Sequence, residues 1–511
     1  ACYDAKINCD RWPLNISAVR RAFHYAINKT AICEMQGLRP HDSYLISPFP
    51  LSIESEMTHH YYDAEVEVGN AILDSIGFLD SDSDGWREGP GGVEIPPINI
   101  EFLRGAEDGP LQEDAANFLV DAFQNLSIEA YSTRYWDGFN PALIKAENMD
   151  FDIFLIAMAG FDLTLDSLIE AFSNDWYGWT NSTFDEYADI AAHSTNYTEV
   201  TAAMKQMQYI FIEEAPQLML QQLPLFSAYR TDKFDGIIEH PTYGPHSFFT
   251  GLNVNGTSDT LLFGDTNHIL YNHEVVSLPY YTCGIDVATW WSVKSHMEML
   301  HDSLARLDPN LDVINWLAEE VSIETHEDDD TIPEGNTRFI IDLVQNARWN
   351  DGESITAHDV VYSINWFRDI YDGIPSDDYP TELYRCVAVS DSRLEIQFST
   401  ESYWHWYKIC FLPILPRHAP NQYDPLRAYQ LTPDEFTENL VVSGPFMASE
   451  WVLGEYIEIV QNPYYWRNPP ENTTPPSTTT PPPDFTMTFV TGIVGAVTVA
   501  VVGGYWILKR E

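Results

Sequence analysis

From Phe485 to Leu508 the chain runs for 24 residues without one ionisable acid or base. At 1.5 Å per residue such a run spans a hydrocarbon core of about 30 Å, and it is expected as a membrane-crossing helix. Lys509 and Arg510 follow directly, which predicts a cytoplasmic tail at 509–511 and places the bulk of the chain outside the cell. Just before the run, residues 468–484 read NPPENTTPPSTTTPPPD, a composition suited only to an extended tether, with 469–484 as the Thr/Pro stalk. Folding into a core is therefore a matter for the residues up to about 468.

Those residues can fill real cores. The chain has 511 residues, 45% hydrophobic and 14% aromatic, enough for two or three packed units. Seventy-seven acidic residues stand against 26 basic ones, a formal charge of −51, which repels phosphate and excludes nucleic acid as a partner. A saline exterior that screens the charge and a simply acidic secreted protein both fit this excess. Sequons at Asn15, Asn28, Asn125, Asn181, Asn196, Asn255 and Asn472 agree with an exposed, glycosylated surface. Six cysteines, Cys2, Cys9, Cys33, Cys283, Cys386 and Cys410, allow about 15 pairings. None is in a Cys-x-x-Cys arrangement, which argues against zinc. The sequence opens Ala-Cys-Tyr, without an initiator Met or signal peptide, so the N-terminus is expected to be processed or truncated.

Hydrophobic spacing predicts an alternation of helices and strands. Val19, Ala22, Phe23, Ala26 and Ile27 share one face of a helix over 18–33, and Val68, Ile72 and Ile76 align on another over 63–79. A strand at 98–103 precedes a helix at 111–126 and a further strand at 128–131. The apolar run DIFLIAMA, 152–159, has the length of a strand buried on both faces. A helix over 198–214 stops before Pro216, and 218–222 is extended again. From about Thr257 the pattern restarts, with a strand DTLLFGD, a helix around 296–307, strands at 338–345 and 386–399, and a Pro-rich turn at 413–420. Open α/β sheets follow from this alternation.

One stretch is more specific. In ARWNDGESITAHDVVYSINWFRD, 347–369, Asn350-Asp351-Gly352 supplies a turn that tolerates a left-handed backbone, and Thr356 is placed to cap a helix opening at Ala357. This segment resembles the turn-helix signature of family 5 extracellular solute-binding proteins, the peptide- and oligosaccharide-type receptors of ABC importers. Four more segments resemble that family: DSLARLDPNLDVINWLAEE, SGPFMASEWVLGEYIEIVQNPYYW, VRRAFHYAINKTAI and FIEEAPQLMLQQ. The likeness is to an archaeal-type member with a C-terminal anchor.

The halves stand in exchanged order. Segments of the family's second half come first, and the Asp-Gly turn and Gly-Pro-Phe strand of its first half come last. Either the chain is the end of a longer tandem protein, the favoured alternative, or it is a natural permutation. The expected organisation is a second-half-like lobe at 1–235, a connector at 236–257, a first-half-like lobe at 258–468, then stalk, membrane helix and tail. The fold class implied is α/β, a periplasmic-binding-protein-like (class II) two-lobe fold with mixed sheets, plus one C-terminal transmembrane helix.

The resemblance implies hinged lobes that close on a ligand and no reaction. In peptide-binding members an acidic residue after the buried strand of the second half meets the ligand's terminal amine, which here points to Asp162, then Asp166, with Phe161 beside them. Asp162 as a helix cap is the competing assignment. Trp176 and Trp179, in NDWYGWTN, are candidates to stack on sugar rings or apolar side chains, with packing as their other use.

Three features stand apart from the resemblance. FLDSDSDGWREG sets Asp80, Asp82 and Asp84 at alternate positions before Gly85, the hard-oxygen pattern of a Ca²⁺ loop, with Glu88 ninth and Gly91 where a bidentate Glu would stand. His59-His60 is read as an exposed loop pair with no third ligand. Gly492, Ala496, Ala500 and Gly504 form a small-residue stripe suited to a homo-oligomer or to docking on a permease. No hydrolase, zinc-protease or phosphate-loop motif appears, so an enzyme has no support. The expected function is a membrane-anchored receptor delivering peptides or oligosaccharides to an ABC importer; the alternative is a cell-surface structural or adhesive protein on the same fold.

Overall fold

A computed structural model describes residues 2–45, 51–103, 109–135, 148–158, 178–222, 229–241, 244–245, 247–256, 260–264, 298–371, 382–420, 440–452, 456–467 and 486–490. The chain divides into two compact units, Ala1–Phe226 and Ser227–Glu511.

The first unit opens with β1 (Cys2–Ile7), α1 (Ser17–Ala26), α2 (Lys29–Gln36) and β2 (Arg39–Pro40). It continues with α3 (Val66–Ser75), β3 (Glu88–Gly89), β4 (Val93–Glu94), β5 (Ile98–Leu103) and α4 (Gly109–Asn125). It closes with β6 (Ala130–Tyr135), β7 (Ile153–Met158), α5 (Ser182–His193), α6 (Tyr197–Glu214) and β8 (Gln217–Gln222). Six strands form one mixed sheet in the order β2-β8-β1-β7-β5-β6. β5 pairs in parallel with both β6 and β7, whereas β1 runs antiparallel to β7 and β8. Ile153, Phe154 and Leu155 are all buried, so β7 has both faces covered, as its unbroken apolar run requires.

The helical face of α1 is as its spacing predicts, with Val19, Ala22, Phe23 and Ala26 buried and Phe23 stacked on Phe123 of α4. One helix over 18–33 is not what forms. The backbone turns extended at Ile27, and the Asn28 side chain accepts from the Ala31 N–H at 2.9 Å, restarting the chain as α2. α3 is rotated from its expected face: Gly69 and Leu73 are buried while Val68 is exposed. Gly69 sets this rotation, because α3 comes so close to α1 that a Cβ there would lie 2.9 Å from the Ala22 carbonyl oxygen.

The second unit contains β9 (Phe234–Asp235), α7 (Phe248–Asn253), β10 (Asn255–Gly256), β11 (Thr260–Gly264), β12 (Ala305–Leu307) and β13 (Val313–Asn315). β14 (Ala318–Glu324), β15 (Thr337–Leu343), α8 (Ala357–Tyr371), β16 (Leu383–Ser390) and β17 (Arg393–Phe398) follow. After them come α9 (Trp404–Cys410), β18 (Phe446–Val452), β19 (Tyr456–Gln461) and β20 (Thr486–Val490). Its two larger sheets have the orders β14-β15-β17-β16 and β11-β20-β19-β18. Phe339, Ile341 and Leu343 alternate inward along β15, Leu394, Ile396 and Phe398 do so along β17, and Val360, Ile364 and Phe367 of α8 join the same core. At about 1.5–3 kcal/mol for each large apolar side chain, this shared core dominates the stability of the unit.

The turn before α8 forms as its residues require. Gly352 takes φ +93, its N–H donates to the Trp349 carbonyl, and Trp349 is fully buried. Asp359 accepts from both the N–H and the hydroxyl of Thr356, which closes the start of the helix. The helix expected around 296–307 is corrected at its end: Ala305–Leu307 is strand β12, paired antiparallel with β13, and this pairing overrides local helical spacing.

Of the apolar run 485–508, the described residues 486–490 are strand β20, parallel to β11 and antiparallel to β19, rather than the opening of a helix. Thr486, Thr488 and Val490 are β-branched, which suits the extended form. The rest of that run, the stalk and the tail lie outside the described residues. No helix among the described residues is long and apolar enough to cross a membrane.

Candidate functional site

Leu79 and Glu88 exchange backbone hydrogen bonds in both directions and close the acidic loop at its base. Inside, Asp80 accepts from the N–H groups of Ser83 and Gly85 at 2.7 and 3.2 Å, Asp82 from Asp84 at 3.1 Å, and Asp84 from Trp86 at 2.8 Å. Glu88, buried, accepts from both the N–H and the hydroxyl of Ser81. Those two bonds hold its carboxyl below the usual range. Ligand oxygens of Asp80, Asp82, Asp84 and Glu88 lie within 4.8 Å of one another. The sequence-predicted quartet is thus brought together, and its all-oxygen, anionic donor set is of the kind a hard cation takes. Arg87 anchors the loop by donating to the Leu126 and Phe78 carbonyls, Asp74 and Asn70.

Trp179 is buried, its ring edge-on to Phe184 at 5.1 Å and to Phe211 at 5.6 Å, so it ties α5 to α6. Phe161, Asp162, Asp166 and Trp176 lie outside the described residues. Asn15, Asn28, Asn125 and Asn196 are exposed and Asn181 is half-buried; Asn255 belongs to β10, and Asn472 lies outside the described residues. Three of these sequon asparagines, Asn28, Asn181 and Asn196, are helix N-caps whose side-chain oxygens accept backbone N–H groups. Cys9, Cys33 and Cys386 are free thiols, and Cys410 is buried. Burial pushes the first three up, to about 12, about 11 and about 12, so none is a ready thiolate.

A second cluster was not legible in the sequence. Lys29, fully buried at the start of α2, donates to Asp42 Oδ1 at 2.5 Å and to the His41 carbonyl at 3.1 Å, with His24 Nε2 also at 3.1 Å. The other Asp42 oxygen accepts from the Tyr61 N–H at 2.9 Å and faces His60 Nδ1 at 3.1 Å. Glu54 accepts from the backbone N–H groups of Asp42 and Ser43 and from the Tyr62 hydroxyl, and its Oε1 is 3.7 Å from His60 Nδ1. The ligand atoms of Asp42, Glu54 and His60 also lie within 4.8 Å of one another. His60 therefore has the neighbours that its sequence context did not reveal, because they come from loops 18 and 6 residues away without periodicity.

In the second unit a comparable knot is closed by aromatics. Asp302 Oδ1 accepts from Arg306 at 2.7 Å and from the Trp316 indole at 2.9 Å, and Oδ2 accepts from the Trp466 indole at 2.8 Å. The Arg306 guanidinium lies 3.6 Å from the Phe248 ring centroid.

The fold and both clusters describe a mixed α/β protein with polar centres in its first unit. Comparison with known proteins is more specific. Residues 312–476 match the model for bacterial extracellular solute-binding proteins, family 5 Middle. The chain is 29% identical over 145 residues to the periplasmic oligopeptide-binding protein OppA of Salmonella typhimurium, covering 25% of each chain. It is 27% identical over 147 residues to OppA of Escherichia coli, again 25% of each. The match thus spans a quarter of the length of these relatives. Among solved structures, a periplasmic oligopeptide-binding protein of an ABC transporter from Thermotoga maritima gives 19% identity and a TM-score of 0.38 over 43% of this chain and 44% of that one. Its mannohexaose-bound form gives 17% and 0.38 over 50% and 52%. At these scores the structural likenesses add nothing to the sequence match.

Proposed function

We propose that the chain is the solute-binding receptor of an ABC importer, taking peptides or oligosaccharides outside the cell. The observation that supports this reading is the family match over 312–476, which contains the buried Trp349, the Gly352 turn and α8. Asp162, then Asp166, meets the terminal amine of a peptide, and Phe161 and Trp176 contribute apolar surface, whereas Trp179 is a packing residue of the first unit. The apolar segment beyond Val490 anchors the chain as a single pass, with the tail cytoplasmic and the bulk extracellular and glycosylated. No reaction belongs to this reading. Asp80, Asp82, Asp84 and Glu88 hold Ca²⁺ as a structural ion, and chelation then lowers the thermal stability of the first unit; unchanged stability removes the ion from the reading.

The test is thermal stabilisation of the ectodomain against peptide and oligosaccharide libraries. A ligand at 100 times its Kd adds about 2.7 kcal/mol, readily seen as a rise in Tm. Stabilisation by peptides that disappears in Asp162→Asn supports the amine contact. No stabilisation by any member of either library rejects the receptor.

A further inference from the structure

We propose that Asp42, Glu54 and His60 form a second divalent-cation site in the first unit, suited to Zn²⁺ or a similar borderline first-row ion and separate from the acidic loop. A tetrahedral Zn²⁺ bound at about 2.0–2.1 Å requires its ligand atoms to be about 3.3 Å apart. His60 Nδ1 stands 3.1 Å from Asp42 Oδ2 and 3.7 Å from Glu54 Oε1, on either side of that separation. One imidazole nitrogen with two carboxylate oxygens is a ligand set for zinc, whereas the all-carboxylate loop favours calcium. The cysteine spacing spoke against a thiolate site, and this one uses no cysteine.

The surroundings aim each ligand. Lys29 takes the Oδ1 oxygen of Asp42 and leaves Oδ2 as the oxygen turned to His60. Glu54 is clamped by two backbone N–H groups and the Tyr62 hydroxyl, while the His60 ring stacks on Tyr62 at 4.6 Å. Such outer contacts orient metal ligands and hold their geometry before the ion arrives. The way in is through His60, whose side chain is 32% exposed, beside Glu54 at 14% and a fully buried Asp42. Two carboxylates beside one ammonium, inside a chain at −51, favour a dication. Binding places the imidazole proton on Nε2 and coordinates Nδ1, with the fourth position open to water.

The experiment uses the full chain, stripped with a chelator and dialysed. Zn²⁺ is titrated by calorimetry with Ca²⁺ saturating, and Co²⁺ is then substituted and its visible absorption recorded. The expected result is one tight Zn²⁺ equivalent that Ca²⁺ does not displace, and an intense tetrahedral Co²⁺ spectrum. X-ray absorption should show one imidazole among light-atom ligands. Affinity should fall by at least about tenfold in His60→Ala and in Glu54→Gln and be unchanged in the acidic-loop variant Asp82→Asn. The spectroscopic arms need no variant, so they decide the matter even if one fails to fold. No saturable Zn²⁺ binding, binding displaced by Ca²⁺, an imidazole-free site, or unaltered affinity in a folded His60→Ala overturns the proposal.

Discussion

Among the described residues each unit has a fully buried carboxylate held by a buried cation, and the two pairs are finished in opposite ways. Asp42 and Lys29, 2.5 Å apart, leave one oxygen facing the part-exposed His60 and Glu54. Asp302 and Arg306, 2.7 Å apart, are closed over by the indoles of Trp316 and Trp466 and by Phe248. Burial raises both carboxyls; at Asp42 the Lys29 ammonium outweighs it, whereas at Asp302 it prevails over Arg306 and the two indoles. A buried charge pair is therefore not one kind of object. With an open side it is a place where chemistry can be added, and with indoles on every side it is a tie within the fold.

The largest test is to remove each cation. Arg306→Met strands Asp302 away from water and should destabilise the second unit by about 3–5 kcal/mol. Lys29→Met should cost the first unit clearly less, because the part-exposed His60 and the Tyr61 N–H still face the other Asp42 oxygen. Hydrogen exchange read separately in the two units gives both numbers, and equal losses would break the comparison.

Acid should sharpen it. Burial holds His301 in the second unit at about 3, against an ordinary value near 6.5. In that window the unfolded chain takes up a proton that the folded one refuses, so stability falls as pH drops from about 6.5 toward 3. The expected loss from His301 between pH 7 and 4.5 is about 2–3 kcal/mol. Asp302, raised in the folded state, works with the opposite sign, so the test is the difference between wild type and His301→Gln. That difference should be constant above about pH 7.5 and shift in acid, in favour of the variant; a difference flat down to pH 4.5 contradicts it.

Close backbone approaches differ in the same direction. A Cβ on Gly444 would lie 2.4 Å from the Met299 carbonyl oxygen, and one on Gly69 would lie 2.9 Å from that of Ala22. Alanine at either should cost about 1–3 kcal/mol, with Gly444→Ala the worse of the two in denaturant unfolding. The smallest effects belong to the helix starts. Asn28→Ala should cost about 1 kcal/mol, and Asp359→Ala somewhat more, since Asp359 also accepts from the Arg417 N–H at 3.1 Å.

Regular elements were readable where one periodicity ruled. β5 and the helix start at Ala357 coincide with their predicted positions, and α6 with β8 agrees to a residue, because spacing, caps and Pro216 all point one way. The break between α1 and α2 was hidden because Asn28 caps inside an otherwise helical pattern, and Ala305–Leu307 was misread because its pairing partner lies eight residues away. The acidic loop was legible because its ligands fall at fixed spacings within a single loop. His60 was not, since Asp42 and Glu54 reach it only after the loops around α2 have folded. For Asp162 and its neighbours the outcome lies outside the described residues.

The position of β1 bears on how the chain comes to be made. It sits between β7 and β8, so the first strand of its sheet to leave the ribosome has no neighbours until some 150 to 220 further residues have appeared. At about 5–20 residues per second that interval is on the order of ten seconds or more. Throughout it, a bare edge-seeking segment must be kept from other chains. Assembly of this unit is thus an act of waiting, completed only when its last strand, β8, enters between β1 and β2.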